Sequence, residues 1–189
     1  MEPLYFPEKI EGDKILLSQH QPYEAEVLFS AVDSDRERLR KFLPWVDYTQ
    51  TLQDEKNYIE NSLDHWDRQS FFAYSIYRKE DMRLVGVGNV HSISWQDERC
   101  ELGYWITSEF EGQGLISDYV RTIERVCFEL GFYRIEIRCD SKNNRSAAVP
   151  LRNGYQKEGH LRSDSVFKGR RRGTLIFAKL RTDGSDGRV

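Results

Sequence analysis

Long apolar runs are absent from this chain of 189 residues, whose mean hydropathy is −0.69. No segment approaches the roughly 18 consecutive apolar residues of a membrane-spanning helix. The N-terminal residues also lack the basic segment and apolar stretch that are typical of a signal peptide. The sequence therefore predicts no membrane partner and a location in the cytoplasm.

Cysteine is scarce, and its number, three, is odd. Cys100, Cys127 and Cys139 fall in regular strand or helix patterns, which favours a reduced intracellular protein. The four histidines are scattered. Because neither His-x-x-x-His nor Cys-x-x-Cys spacing occurs, we expect no metal site.

An excess of positive charge is also lacking, since 28 lysines and arginines face 31 acidic residues. A formal net charge of −3 does not favour a broad nucleic-acid surface. The hydrophobic fraction of 39% is enough for the core of a single domain, which we expect to span residues 1–189.

One segment, 104–118, combines the end of a strand, a turn with Gly112 and Gly114, and an amphipathic helix. The apolar residues of the helix recur at spacings of four and three, which places them on one face: Ile116, Val120, Ile123, Cys127 and Leu130. Glycines let the backbone approach a ligand closely, and the free N–H groups at a helix start attract anions. The segment therefore indicates a phosphate-binding turn.

Two glycines alone do not identify the ligand, and they also occur in turns that bind nothing. A P-loop is excluded because no Gly-x-x-x-x-Gly-Lys-Ser/Thr occurs in the chain. A dinucleotide fingerprint is excluded because its third glycine is missing. The surrounding sequence has to decide between the remaining possibilities.

The turn resembles motif A of the GCN5-related N-acetyltransferase (GNAT) superfamily, whose Arg/Gln-x-x-Gly-x-Gly/Ala segment wraps the pyrophosphate of acetyl-CoA. Its six positions are here Glu111, Gly112, Gln113, Gly114, Leu115 and Ile116. Gly114 matches the pattern, whereas Glu111 and Ile116 depart from it. The resemblance implies that these six residues bind the cofactor through their backbone, with the Glu111 carboxylate pointing away from the phosphates.

Further blocks resemble the Rim-like branch of this superfamily, the ribosomal-protein-alanine/serine N-acetyltransferases. They occur in the matching order at 39–46, 101–106, 136–140, 143–146, 151–155 and 158–161. The resemblance implies transfer of acetyl from acetyl-CoA to a primary amine by direct attack, most simply to a protein N-terminal α-amine. A small amine such as a polyamine or a drug remains open, as do a non-catalytic acyl-CoA-binding module and a homodimer.

The patterns of the chain predict a mixed α/β unit. Strands are predicted at 14–18, 71–77, 84–90, 100–106, 134–139 and 174–180, helices at 23–31, 35–42, 52–68, after the glycine turn and at 146–152, and a frayed tail at 182–189. The crossover between strands 100–106 and 134–139 should make them parallel. The resemblance implies a GNAT fold, in which helices cover both faces of the sheet and these two strands splay apart. The pantetheine arm would then contact Tyr104, Trp105, Ile106 and Asn143.

Glu101 is the candidate general base. It lies in an apolar strand beside Gly103, where burial should raise the pKa of its carboxyl group. A glutamate paired across the sheet with a basic residue is the alternative, and the resemblance favours the base.

Ser146 is the candidate acid for the leaving thiolate, a role implied by the resemblance alone. A helix N-cap is the alternative for Ser146 and also for Asn143. The basic run 168–172 is interpreted as a solvated hairpin tip. Contact of this run with the 3′-phosphate of coenzyme A or with ribosomal RNA remains the alternative.

Overall fold

The computed structural model describes residues 5–184. The predicted frayed tail, 182–189, therefore lies partly outside the described residues. Its first positions are helical rather than frayed, because Arg181–Gly184 forms a short 3-10 helix.

Eight strands form one sheet in the order β1-β2-β3-β4-β5-β6-β8-β7. Their bounds are β1 Lys9–Glu11, β2 Ile15–Gln19, β3 Phe72–Arg78, β4 Leu84–Ser94, β5 Arg99–Ile106, β6 Arg134–Asp140, β7 Gln156–Phe167 and β8 Arg170–Leu180. Strands β5 and β6 are parallel, and all other neighbours are antiparallel. The sheet is therefore mixed, as predicted.

The helices are α1 Ala25–Ser34, α2 Arg36–Leu39, α3 Leu52–Asp67, α4 Leu115–Glu129 and α5 Asn144–Arg152. Helix α3 begins with a capping box, in which the Thr51 hydroxyl accepts the Asp54 N–H at 3.2 Å and the Asp54 carboxylate accepts the Thr51 N–H at 2.8 Å. A further 3-10 turn, Pro44–Asp47, follows α2.

Both faces of the sheet are covered by helices, as the GNAT resemblance implies. On one face, Tyr119 and Ile123 of α4 are fully buried in a cluster with Leu102 of β5. On the other face, Leu28 of α1 and Ile59 of α3 form a second cluster. Side chains alternate along a strand, so successive residues of β5 point to opposite faces of the sheet.

Two strands and several element ends differ from the sequence expectation. Strand β1 and the long edge strand β7 have no predicted counterpart, because β7 is exposed along most of its length and carries no apolar alternation. The helix predicted at 35–42 ends at Leu39. Pro44 disfavours helical backbone at Leu43, whose φ and ψ are −116° and 94°.

A β-bulge shapes the centre of the sheet. Ile76 pairs with Gly86 and Tyr77 pairs with Leu84, so Val85 is an extra residue in β4. A Cβ atom at Gly86 would lie 2.1 Å from the carbonyl oxygen of Trp105. Only glycine therefore lets β4 and β5 approach each other at this point.

Strands β5 and β6 pair over only three positions, Arg99 with Arg134, Cys100 with Ile135 and Glu101 with Glu136. Beyond Glu101, β5 continues along β4 to Ile106, and β6 continues along β8 to Asp140. The two strands thus diverge and leave a wedge between them, which confirms the predicted splay.

We expect Gly86→Ala to destabilise the fold by about 2 to 3 kcal/mol, because the added methyl group meets backbone rather than a movable side chain. Gly159→Ala is the matched strand control, since its nearest neighbour, Ile176 Cδ1, lies at 3.8 Å, and it should change stability by at most about 0.5 kcal/mol. Urea unfolding checks both variants. Equal midpoints for the two would contradict the close approach at Gly86.

Candidate active site

A cavity of about 1210 Å³ fills the wedge between β5 and β6. Ten of the residues singled out from the sequence line it: Tyr104, Trp105, Ile106, Glu111, Gly112, Gly114, Leu115, Ile116, Asn143 and Ser146. Gln113 lies outside the lining, and its side-chain oxygen accepts a hydrogen bond from Arg78 Nη1 at 3.2 Å. Glu101 also lies outside the lining, next to the wall formed by Leu102 and Gly103.

The glycine turn presents backbone rather than side chains to the cavity. Gly112 and Gly114 have φ angles of 77° and 79°, in the left-handed region that favours glycine. Gly114 is the N-cap of α4, and no side chain caps this helix start. A helix of 15 residues with uncapped N–H groups at a cavity is suited to binding phosphate.

The acidic residue of the turn is paired with two arginines. The Glu111 carboxylate accepts a hydrogen bond from Arg38 Nη1 at 2.6 Å and another from the Arg145 guanidinium. Arg38 also donates to the Asp35 carboxylate and to the carbonyl oxygen of Ile106. The Glu111 charge is therefore compensated within the cavity wall, and the departure from the motif does not leave an unpaired anion beside the phosphate turn.

Glu101 lies on the face of the sheet opposite α4, where its side chain is 17% exposed. Its carboxylate oxygens lie 3.6 Å from Arg138 Nε and 3.8 Å from His91 Nε2. Burial raises the pKa of the Glu101 carboxyl group, and Arg138 opposes the shift only in part. The residue therefore combines both sequence interpretations, because it is paired across the sheet and still has a raised pKa.

His91 and Arg138 were not singled out from the sequence. His91 is directly opposite Glu101 in the β4–β5 ladder, and burial together with Arg138 lowers the pKa of its imidazole. The sequence predicts that Arg138 and Ile137 point to opposite faces of the sheet. Only the pairing of β5 with β6 shows that Arg138 lies next to Glu101.

Ser146 lies beside the phenol of Tyr104. The two hydroxyl oxygens are 3.5 Å apart, and Tyr104 also lies within hydrogen-bond distance of the Ser146 carbonyl oxygen, at 3.2 Å. Asn143, not Ser146, caps α5, because its Oδ1 accepts the Ser146 N–H at 3.1 Å. The N-cap alternative is therefore correct for Asn143 and wrong for Ser146.

Burial raises the pKa of the Tyr104 phenol, which keeps its proton at neutral pH. The phenol and the Ser146 hydroxyl thus offer two protons at one place in the cavity. The sequence placed Tyr104 near the cofactor but gave no reason to pair it with Ser146.

The basic run is a hairpin tip, as predicted. Lys168 and Gly169 form the β7–β8 turn with φ angles of 49° and 73°. Lys168 Nζ lies 3.4 Å from an oxygen of Asp47, and Arg172 Nη1 lies 3.0 Å from an oxygen of Asp140. The Lys168 contact joins the tip to the 3-10 turn that follows α2, and the Arg172 contact joins it to the end of β6.

Residues 5–184 show neither a metal centre nor a membrane-spanning helix. In this part of the chain, no group of three or more His, Cys, Asp or Glu side chains is arranged to hold a metal ion. Within the same residues, no helix has the length and apolar character required to cross a membrane.

Comparisons with known proteins agree with this geometry. The family model "Acetyltransferase (GNAT) domain" matches residues 14–156. The chain is 28% identical over 178 residues to the putative ribosomal N-acetyltransferase YdaF of Bacillus subtilis, covering 91% of this chain and 94% of the relative. It is 26% identical to the ribosomal-protein-serine acetyltransferase of Escherichia coli, covering 81% of this chain and 85% of the relative.

A solved structure of RimL, a ribosomal L7/L12 α-N-protein acetyltransferase in complex with coenzyme A, superposes with a TM-score of 0.87. It is 21% identical to this chain and covers 92% of this chain and 98% of its own, so it supports the fold. The wedge, the uncapped helix start at the glycine turn and the extent of the family match lead to one assignment. The chain belongs to the acetyltransferase (GNAT) domain family, whose enzymes use acetyl-CoA as the acetyl donor, and it has relatives in the Rim-like branch.

Proposed function

We propose that this protein acetylates the N-terminal α-amine of a ribosomal protein. One observation carries the proposal: the wedge runs from a phosphate-binding turn to Leu102 and Gly103, and next to this wall lies the half-buried Glu101 carboxyl group, whose pKa is raised. The names of the two relatives described above both refer to ribosomal acetylation, which supports this choice of acceptor. A ribosomal acceptor would also fit the cytoplasmic location expected from the sequence.

Acetyl-CoA would lie along the wedge from the turn towards Glu101. The pyrophosphate would be held by backbone N–H groups of 111–116, with Arg38 and Arg145 close by in the wall. Past Glu101, β5 and β6 no longer pair with each other. Their facing backbone groups therefore suit the amides of a pantetheine arm, which can replace the missing ladder bonds.

The acceptor amine would meet the thioester near Glu101. An α-amine has a pKa of about 8 and is mostly protonated at pH 7, so it must lose a proton before attack. Glu101 would accept that proton, directly or through one water molecule. The neutral nitrogen then attacks the carbonyl carbon, the carbon–sulfur bond breaks, and the departing thiolate takes a proton from Ser146 or Tyr104. The second proton that the nitrogen loses as it becomes an amide restores this donor, through solvent.

The acceptor class can be tested by measuring thiol release from acetyl-CoA with a panel of amines. We expect peptides from the N-termini of ribosomal proteins of the source organism, beginning with serine or alanine, to give the highest kcat/KM. Their N-acetylated forms are matched controls and should be inactive, because they have no free α-amine. A higher kcat/KM for spermidine or an aminoglycoside would assign the enzyme to small amines, and slow release with every amine would favour a binding module. Light scattering on the same sample would test whether the protein forms a homodimer.

Glu101→Gln should lower kcat by about 100-fold at pH 7, because the amide cannot accept a proton. The loss should shrink at high pH, where more of the amine is already neutral. In the wild type, activity should fall as the pH drops through the raised pKa of Glu101, since the protonated carboxyl group is no longer a base. Glu158→Gln, the same change at a more exposed carboxylate of the neighbouring arginine network, is the control. A pH–rate profile that is the same for wild type and Glu101→Gln would show that the base lies elsewhere.

The proton donor can be identified with Ser146→Ala and Tyr104→Phe. Because Asn143 caps α5, Ser146→Ala should leave the Tm nearly unchanged. The variant that lacks the donor should show a single-turnover rate lowered by about 100-fold, with unchanged affinity for acetyl-CoA. If each variant retains the full rate, either hydroxyl can substitute for the other or the thiolate leaves unassisted, and the double variant separates these outcomes.

A further inference from the structure

Asn89 on β4 has a buried amide oxygen that lacks a hydrogen-bond partner among the residues the structure describes. Three other buried side-chain atoms share this property: Arg40 Nε, Glu124 Oε2 and Tyr155 Oη. Of the four, only the Asn89 oxygen belongs to a sheet residue. An unpaired buried acceptor destabilises the folded state, so its retention calls for an explanation.

Asn89 lies on the same face of the sheet as Glu101. It is paired with Gly103 across the β4–β5 ladder, and the next pair on that face is His91 with Glu101. Asn89 and Glu101 are therefore diagonal neighbours, which in antiparallel sheets lie about 7 to 8 Å apart. The two side chains are therefore neighbours on this face of the sheet.

The amide of Asn89 occupies the space that Gly103 leaves free. A Cβ atom at Gly103 would lie 2.6 Å from Asn89 Oδ1, and Gly103 itself lines the cavity. On the other side, Asn89 is paired with Ala73, which is also small. The oxygen is thus held beside the cavity wall by two neighbours that lack bulk.

Tyr119 of α4 holds the backbone of Asn89 and Gly103 in place from the opposite face of the sheet. The Tyr119 hydroxyl lies 2.9 Å from the carbonyl oxygen of Asn89 and 3.2 Å from that of Gly103. Tyr119 is fully buried, and its ring leaves no room for a Cβ atom at Gly88. The position of Asn89 relative to Glu101 is therefore set by packing before any acceptor binds.

We propose that the Asn89 amide oxygen accepts an N–H of the acceptor amine, so that the reacting nitrogen is held between Asn89 and Glu101. This inference rests on the proposed function. A neutral primary amine has one lone pair and two N–H bonds. With the lone pair directed at the thioester carbonyl, one N–H faces Glu101 and the other faces Asn89.

The arrangement selects primary amines. A secondary amine, such as an N-methylated terminus or an N-terminal proline, has a single N–H when neutral. It must leave either the base or the buried Asn89 oxygen unpaired, and sites with buried polar groups discriminate strongly against ligands that leave them unpaired. Asn89 is thus a positioning residue that also determines specificity.

Asn89→Leu tests the proposal, because leucine keeps the approximate volume of the side chain and removes the oxygen. With the most active amine of the panel, its KM should rise about tenfold, the effect of one lost hydrogen bond of about 1.4 kcal/mol. The KM for acetyl-CoA should stay within about twofold, and the Tm should hold or rise because an unpaired buried acceptor has been removed. Asn89→Asp retains an oxygen acceptor and should keep the acceptor KM close to the wild-type value. Asn57→Leu, on the exposed side of α3, is the matched control.

A peptide with N-terminal serine and its N-methylserine analogue provide the second readout. The wild type should prefer the primary amine, and Asn89→Leu should lose about tenfold of that preference, the discrimination expected from one hydrogen bond. A folded Asn89→Leu protein with wild-type acceptor KM and unchanged preference would overturn the role of Asn89 alone. Absence of acetylation of any amine by the wild type would instead overturn the proposed function.

Discussion

The short pairing between β5 and β6 is the constraint on which the rest of the site depends. Parallel strands normally share a ladder along their length, but here three residue pairs are followed by divergence. Strand β6 pairs with β8 over seven residues, whereas β5 stays paired with β4 up to Gly86 and Ile106, where only glycine permits the close approach. Buried backbone groups need partners, so the two open edges define where an extended ligand with amide groups can bind.

Charged side chains cluster at two ends of the wedge, one at the glycine turn and the other around Glu101. Arg38 and Arg145 bracket Glu111 at the glycine turn, and Arg38 also pairs with Asp35, so two arginines balance two carboxylates at this end of the cavity. At the other end, Arg138 lies beside Glu101 yet does not cancel the effect of burial on its pKa. Strand β6 thus has two roles. It carries Arg138, which lies beside Glu101, and its edge towards β5 is unpaired where the cofactor would bind.

Local patterns were sufficient for the parts of the fold that depend on local rules. The strand, turn and helix from β5 to α4 followed from glycine positions and apolar spacing, and α3 followed from its apolar stripe. The edge strand β7 could not be found this way, because a strand exposed on both faces has no period of two in its hydrophobicity.

Arg38, His91 and Asn89 were missed for another reason: their positions depend on how α2 packs and on the register of β4, which no single segment encodes. The sequence could not decide whether Asn143 or Ser146 caps α5, because this helix begins at Asn144, two residues before the predicted start.

The two faces of the sheet also bear on how the acetyl group moves. The open backbone edges suit the donor, whereas Glu101 and Asn89 lie on the face opposite α4, so donor and acceptor would meet without competing for the same groups. Cys139 lines the cavity and could in principle carry the acetyl group between them. Burial raises the pKa of its thiol, however, so the reactive thiolate is disfavoured at neutral pH. A ternary complex in which the amine attacks the thioester directly therefore fits the charges of the site better than a covalent relay.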